Sequence, residues 1–125
     1  MSWQSYLEKL IKTGKVSKAA IFGFDGSVWA ITPGYAPSTE EVKTLIENLS
    51  SLESQQAKGV VLEGLKYTVF SYSDTSAYLR KGNTGATVVK TEKTILIGHF
   101  DGTMQPDSST PVVEALGDYI RNLGY

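Results

Sequence analysis

The second half of the chain constrains the fold most, because short segments of strong β-strand composition follow one another there. From Gly59 onward, β-branched and aromatic residues cluster in stretches that turn residues separate. Five such segments occur in about forty residues, namely VVLEG, KYTVFSYS, SAYLRK, GATVVK and TILIGHF. Connections this short join neighbouring antiparallel strands, so the sequence predicts an antiparallel meander.

The first part of the chain reads as a helix followed by a hairpin. Ser2 is placed to cap the helix and Gly14 to end it. Its apolar residues have helical spacing: Trp3, Tyr6, Leu7, Leu10 and Ile11. The segments AAIFGF and VWAI then flank the turn dipeptide Asp25-Gly26, which predicts two paired strands.

Two further helices are predicted on either side of the meander. Ser38 and Glu41 have the spacing of a capping box, and we expect the helix that they begin to end near Ser50. The last segment has Thr110 as N-cap and Pro111 at the first helical position. With 41% hydrophobic and 20% charged residues, the 125 residues can form one core. We therefore expect a single domain, residues 1–125, of the α+β class, with the terminal helices packed on a central antiparallel sheet.

Composition argues against several kinds of partner and site. The net charge is −1 and the pI about 5.8, unlike a protein that tracks phosphates, so nucleic acid is not expected as a partner. The chain has no cysteine, which excludes disulfides and thiolate metal sites. No apolar run is long enough to span a bilayer, and we expect a cytoplasmic protein.

The sequence offers little chemistry for catalysis. His99 is the only histidine, and Asp101 follows two residues later. One hypothesis is an enzyme that uses this pair, and the other is that His99 has a structural role. GNTGA, around Gly82 and Gly85, lacks the lysine of a phosphate-binding loop and reads as a hairpin loop. We expect no enzymatic activity, no metal and no cofactor.

Charge is unevenly distributed along the chain. Residues 37–56 have a net charge of −3, whereas residues 57–99 have a net charge of +3, which makes the meander the basic side. The basic residues indicate either a solvated sheet face or a docking surface for an acidic protein or an anionic lipid headgroup.

Aromatic residues concentrate near the chain ends and in the first hairpin: Trp3, Tyr6, Trp29, Tyr119 and Tyr125. In one interpretation these rings pack the terminal helices onto the sheet. In the other they line a groove for a polyproline II ligand, in which proline rings stack on flat aromatic faces and ligand carbonyls accept hydrogen bonds.

The stretches SWQSYLEKLIKTGKVSKAAIFGFDGSVWA, GLKYTVF, VVKTEKTILIGHFD and VVEALGDYIRNLGY resemble the profilins, a family of small actin-monomer-binding proteins. The resemblance extends over essentially the whole chain. It implies a central antiparallel sheet with the N- and C-terminal helices on one face and smaller helices on the other. It also implies an aromatic groove for proline-rich segments of formins and related factors, at Trp3, Tyr6, Trp29, Tyr119, Ile120 and Tyr125.

The resemblance further implies an actin-binding face on the opposite side, formed by the meander and the start of the last helix. The matching positions are Lys66, Thr68, Val69, Tyr78, Arg80, Lys81, Lys90 and Thr110. A profilin-like protein bound there covers the barbed face of monomeric actin, blocks spontaneous nucleation, regulates polymerisation and works in the cytoplasm with the cytoskeleton.

A phosphoinositide-binding module is the alternative function, with phosphatidylinositol 4,5-bisphosphate bound by Arg80, Lys81, Lys90 and Lys93. Ser71 and Thr75 stand where many profilins have an arginine. Fewer positive charges weaken long-range attraction to acidic actin and to this lipid.

Overall fold

The computed structural model describes residues 2–49, 59–73 and 75–125, which form an antiparallel sheet with helices on both faces. In chain order the elements are α1 (Trp3–Lys12), β1 (Lys18–Gly23), β2 (Val28–Ile31), α2 (Thr39–Asn48), β3 (Val60–Leu62), β4 (Leu65–Tyr72), β5 (Ser76–Lys81), β6 (Thr84–Lys90), β7 (Thr94–Phe100) and α3 (Pro106–Asn122). The strand order is β2-β1-β7-β6-β5-β4-β3, so the meander follows the sequence order and the first hairpin joins its β7 edge. This arrangement confirms the predicted α+β fold.

Each face of the sheet has its own hydrophobic core, because successive strand residues point to opposite faces. On one face, Leu7 and Leu10 of α1 and Val113 and Ile120 of α3 pack with Leu96 of β7. On the other face, α2 packs over the sheet through a second set of buried residues that includes Val42, Leu45, Phe22, Val88 and Ile97. The terminal helices therefore lie together on one face, with α2 on the other.

Local capping signals place the starts of α1 and α2. The Ser2 hydroxyl accepts a hydrogen bond from the Ser5 N–H at 3.2 Å. Ser38 and Glu41 form both hydrogen bonds of a capping box at the start of α2. This helix ends at Asn48, while Ser50, like residues 51–58 and Asp74, lies outside the described residues.

Helix α3 begins earlier than predicted, at Pro106 rather than at Pro111. Gln105 is its N-cap residue and makes no side-chain capping bond, and Pro111 lies inside the helix. Thr110 was predicted to cap the helix, but its hydroxyl is 3.1 Å from that of Thr87 on β6. Proline is favoured at the first helical position, and Pro106 rather than Pro111 occupies it.

Two glycines bring α3 close to the sheet. A Cβ atom at Gly98 of β7 would lie 2.5 Å from Val113 of α3, and one at Gly117 of α3 would lie 2.6 Å from Val89 of β6. Such distances are too short for real Cβ contacts, so a side chain at either position would push the helix away.

His99 is a buried residue of β7. Its Nδ1 lies 2.6 Å from the Ser17 hydroxyl, and its ring packs 6.3 Å from that of Tyr35. Asp101 instead accepts hydrogen bonds from the backbone N–H and hydroxyl of Thr103. The structure therefore favours the structural role of His99 over a catalytic pair with Asp101.

Stability is expected to fall when the solution is acidified below pH 6.5. Burial lowers the pKa of His99 below its ordinary value of 6.5, and the Lys18 cation lowers it further. Below pH 6.5 the unfolded chain binds a proton that the folded chain does not, so unfolding becomes easier by up to about 1.4 kcal/mol per pH unit. Denaturant unfolding between pH 7.5 and about 5.5 measures this slope. In His99→Gln the slope in this interval should vanish, and an equal slope in both proteins would contradict the assignment.

Candidate functional site

Five aromatic side chains from α1, β2 and the α3 region meet on the surface, as one of the two sequence interpretations requires. The Trp3 ring centroid lies 5.7 Å from that of Tyr6, 5.3 Å from that of Trp29 and 5.1 Å from that of Tyr125. Tyr6 in turn lies 5.5 Å from Tyr119. We call these five residues the ring cluster.

The ring cluster is open to solvent although it is packed. Tyr119 is 46% and Tyr125 38% exposed, and Trp3, Tyr6 and Trp29 are half-buried. Most of the pairs meet edge to face, which leaves ring faces available to a ligand. The cluster therefore joins the helices to the sheet and also presents an aromatic surface.

Ile120 does not belong to this surface. Its side chain is fully buried in the core below α3, so it supports the helix that carries Tyr119 rather than facing a ligand. The helical period places it there, since Val113, Gly117 and Ile120 all lie on the buried side of α3.

A hydroxyl of the ring cluster is available as a hydrogen-bond donor. Desolvation raises the pKa of Tyr6, and a hydrogen bond with the Tyr119 hydroxyl raises it further. Because that bond favours the protonated form of Tyr6, Tyr6 is its donor, and the Tyr119 hydroxyl still has its own proton to donate. Together with the indole N–H groups, the Tyr119 hydroxyl gives the cluster the donors that a backbone without internal hydrogen bonds needs.

Gln4 aligns α1 with β2, a role that the sequence did not predict. Its side-chain amide donates to the Ile31 carbonyl at 2.9 Å and accepts from the Ile31 N–H at 3.3 Å. Both backbone groups of one β2 residue are thus held by one α1 side chain, which places Trp3 beside Trp29. The only sequence signal was the position of Gln4 next to Trp3.

A second concave surface lies on the same sheet face, beyond the N-terminal end of α3. Its cavity of about 360 Å³ is lined by Phe70, Ser71, Tyr78, Leu79, Arg80, Ala86, Thr87, Phe100, Pro106, Asp107, Thr110 and Pro111. We call it the meander pocket. It lies at the other end of α3 from the ring cluster, on the same face of the sheet.

Arg80 is the charged centre of the meander pocket. Its guanidinium carbon lies 5.8 Å from the Phe70 ring centroid and 6.0 Å from the Phe100 ring centroid, and its Nε is buried without a hydrogen-bond partner. Gly85 makes room for Phe100, because a Cβ atom there would lie 2.6 Å from that ring. Gly85 is a strand residue of β6, whereas the sequence pattern predicted a hairpin loop there.

Polar contacts fix α3 over the neighbouring strands. The Tyr78 hydroxyl of β5 donates to the Glu114 carboxylate of α3, and Thr87 and Thr110 are hydrogen-bonded. Burial raises the pKa of Tyr78, and its bond to Glu114 raises it further. Tyr78 and Thr110 thus line the pocket with their hydroxyls already paired.

The structure brings together most, but not all, of the positions predicted for actin binding. Thr68 pairs directly with Arg80, and Lys66 and Lys81 are exposed at the same end of the sheet. Val69 is 2% exposed and belongs to the core under α2, because strand alternation turns it away from Thr68. A bulge after Val69 leaves Phe70 unpaired and 68% exposed beside the pocket, which the sequence did not predict.

Lys90 lies apart from that surface, and the four residues predicted for lipid binding do not form one patch. Arg80 and Lys81 lie at the end of β5, beside Thr84, whereas Lys90 and Lys93 lie at the other end of β6. The length of β6 separates the two pairs by about 20 Å. Lys90 contacts Phe24, and Lys93 lies 5.3 Å from the Tyr125 ring centroid.

The described residues contain neither a metal-ligand cluster nor a membrane-spanning helix. Within residues 2–49, 59–73 and 75–125, no three His, Asp or Glu side chains are grouped as metal ligands would be. In the same part of the chain, the helices are too short or too polar to cross a membrane. An exposed ring cluster on a rigid sheet is typical of a ligand-binding module.

The chain belongs to the profilin family. A sequence model described as Profilin matches residues 1–125. Profilin-A of Physarum polycephalum is 40% identical over the full length of both chains. Profilin IB of Acanthamoeba castellanii, a solved structure, superimposes with a TM-score of 0.94 at 37% identity, covering 99% of this chain and all of the other.

Profilins are non-enzymatic proteins that bind actin and regulate its polymerisation. The fold is shared more widely than the sequence. Mouse profilin IIa, solved in complex with a double repeat from the FH1 domain of mDia1, has a TM-score of 0.84 at 20% identity, with full coverage of both chains.

Replacing Gln4 by leucine should destabilise the protein and change its tryptophan emission. The substitution removes both hydrogen bonds to Ile31, and the expected loss is about 1–2 kcal/mol of unfolding free energy. Denaturant unfolding followed by tryptophan fluorescence measures both effects. Glu8→Ala, on the exposed side of α1, is the control and should stay within about 0.5 kcal/mol of wild type. Equal unfolding free energies of the two variants would show that the hydrogen bonds of Gln4 to Ile31 do not stabilise the protein.

Proposed function

We propose that this chain is an adaptor that binds proline-rich segments through the ring cluster and monomeric actin through the surface around the meander pocket. The observation that supports it most directly is the ring cluster. A polyproline II ligand exposes flat proline rings and unpaired carbonyls, and the cluster offers ring faces and hydroxyl donors. Because such a ligand is already extended before it binds, little conformational entropy is lost.

The proline-rich partners proposed are formins and related actin-assembly factors. The mouse relative with the same fold was solved with an FH1 repeat of mDia1. Trp3, Tyr6, Trp29, Tyr119 and Tyr125 supply the aromatic contacts in this proposal, and Ile120 supports them from below.

The proposed actin surface combines charge with apolar contact. Arg80 stands between two phenylalanine rings, and Lys66, Thr68 and Lys81 surround it at the same end of the sheet. Arginine held against aromatic rings is enriched at the centres of protein interfaces. A protein bound there to the barbed face of monomeric actin blocks nucleation and delivers monomers to barbed ends. We propose that this chain acts in the cytoplasm.

We do not extend this proposal to phosphoinositides. A headgroup would have to be held by Arg80 and Lys81 without Lys90 and Lys93, since the two pairs stand at opposite ends of β6. Ser71, which lines the meander pocket, adds no charge.

Replacing Trp3 by alanine should weaken binding of a polyproline peptide at least tenfold, because Trp3 contacts three other rings of the cluster. Titration followed by the fluorescence of Trp29 measures the affinity. Phe24→Ala is the matched control, since Phe24 is 40% exposed but outside the cluster, and it should bind as wild type does. The proposal fails if wild type does not bind the peptide, or if both variants retain full affinity.

Replacing Arg80 by alanine should weaken binding of monomeric actin about tenfold or more, because it removes the charge at the centre of the proposed surface. Sedimentation or fluorescence titration with labelled actin measures this. Lys90→Ala, at the other end of the sheet, should change the affinity less than about twofold. The opposite ranking of these two variants would relocate the actin surface.

A further inference from the structure

Tyr125 is held in the ring cluster by its backbone as well as by its ring. It follows the end of α3 and Gly124, whose φ of +92° turns the chain. Its N–H donates to the Ile120 carbonyl at 3.2 Å. Its own carbonyl accepts two hydrogen bonds from the β6–β7 turn, one from the Lys93 N–H at 2.5 Å and one from the Thr91 hydroxyl at 2.8 Å.

The surroundings of Thr91 direct its single hydroxyl proton. The Thr94 N–H lies 3.0 Å from Thr91 Oγ1 and can only donate to it. The Thr94 hydroxyl lies 2.5 Å away and can donate to the second lone pair. Thr91 Oγ1 then has its proton left to donate, and the Tyr125 carbonyl at 2.8 Å is nearer than the alternative acceptor, the Thr94 carbonyl at 3.2 Å.

The Thr91 side of this contact is shielded from water. Thr91 is 4% exposed and Thr94 fully buried. A hydrogen bond in such surroundings restrains its partners more than one at the surface, where water competes. The Tyr125 ring lies 5.1 Å from Trp3 and 6.0 Å from Trp29 in the position that this backbone contact fixes.

We propose that Thr91 is a positioning residue for the ring cluster, whose hydroxyl holds the Tyr125 carbonyl and so keeps the Tyr125 ring against the two tryptophans. The part of this inference that concerns ligand affinity rests on the proposed function. Without the hydroxyl, the segment after α3 moves more freely, and a proline-rich ligand has to order Tyr125 when it binds.

Three variants separate this role from the general cost of losing a buried hydroxyl. Thr91→Val keeps the shape and removes the bond to Tyr125, and Thr91→Ser keeps the hydroxyl. Thr32→Val is the matched control, because it removes a buried hydroxyl that accepts a hydrogen bond from the Ala19 N–H at 3.0 Å and does not touch Tyr125. Two readouts are compared, the NMR shifts of the Tyr125 ring protons without ligand, and the affinity for a polyproline peptide from tryptophan fluorescence.

In Thr91→Val we expect the Tyr125 ring shifts to move toward those of an unstructured tyrosine and the peptide affinity to fall about threefold to tenfold. Thr91→Ser and Thr32→Val should keep the wild-type ring shifts and an affinity within about twofold. Thermal unfolding checks that all variants are folded at the temperature used.

Wild-type ring shifts in folded Thr91→Val would overturn the inference, as would an equal change in Thr32→Val. Displaced ring shifts with unchanged peptide affinity would overturn its ligand-binding part. If the wild-type protein itself fails to bind the peptide, the proposed function is wrong, and the ring shifts alone decide the role of Thr91.

Discussion

The close approach of α3 to the sheet is the constraint on which both candidate sites depend. It requires glycine at position 98 in β7 and at position 117 in α3, where a Cβ atom would collide with Val113 or Val89. Because α3 packs this close to the sheet, it lies beside α1 on the same face, and Tyr119 contacts Tyr6. A helix held farther out would separate these rings and also withdraw its first turn from the strands.

One rigid helix therefore connects the two surfaces. Thr110 lines the meander pocket near the start of α3, and Tyr119 belongs to the ring cluster near its end. Nine residues of α-helix separate them, which corresponds to about 14 Å along the axis. Because the surfaces share a helix but no side chain, one can be altered without removing contacts from the other.

Local patterns were predictable from the sequence, and contacts between distant segments were not. The aromatic positions of α1, the capping box of α2 and the order of the meander strands all follow from spacing over a few residues. Val69 was assigned to the actin surface by the family resemblance, but strand alternation turns it into the core, and the bulge that leaves Phe70 unpaired cannot be read from alternation. Lys90 and Arg80 seemed equivalent in the sequence, and only the strand register shows that they stand at opposite ends of the sheet. The start of α3 was predicted at Pro111, although Pro106 carries the same signal five residues earlier.

The amide of Gln4 also bears on how this protein behaves at high concentration. Strand β2 is an outer strand of the sheet, and the outward N–H and C=O groups of such a strand can pair with a strand of another molecule. At Ile31 both groups are already bonded to Gln4, in the pattern that a neighbouring strand would make. Helix α1 thus occupies the Ile31 position of this edge, where the backbone has no free groups left for a strand of another molecule.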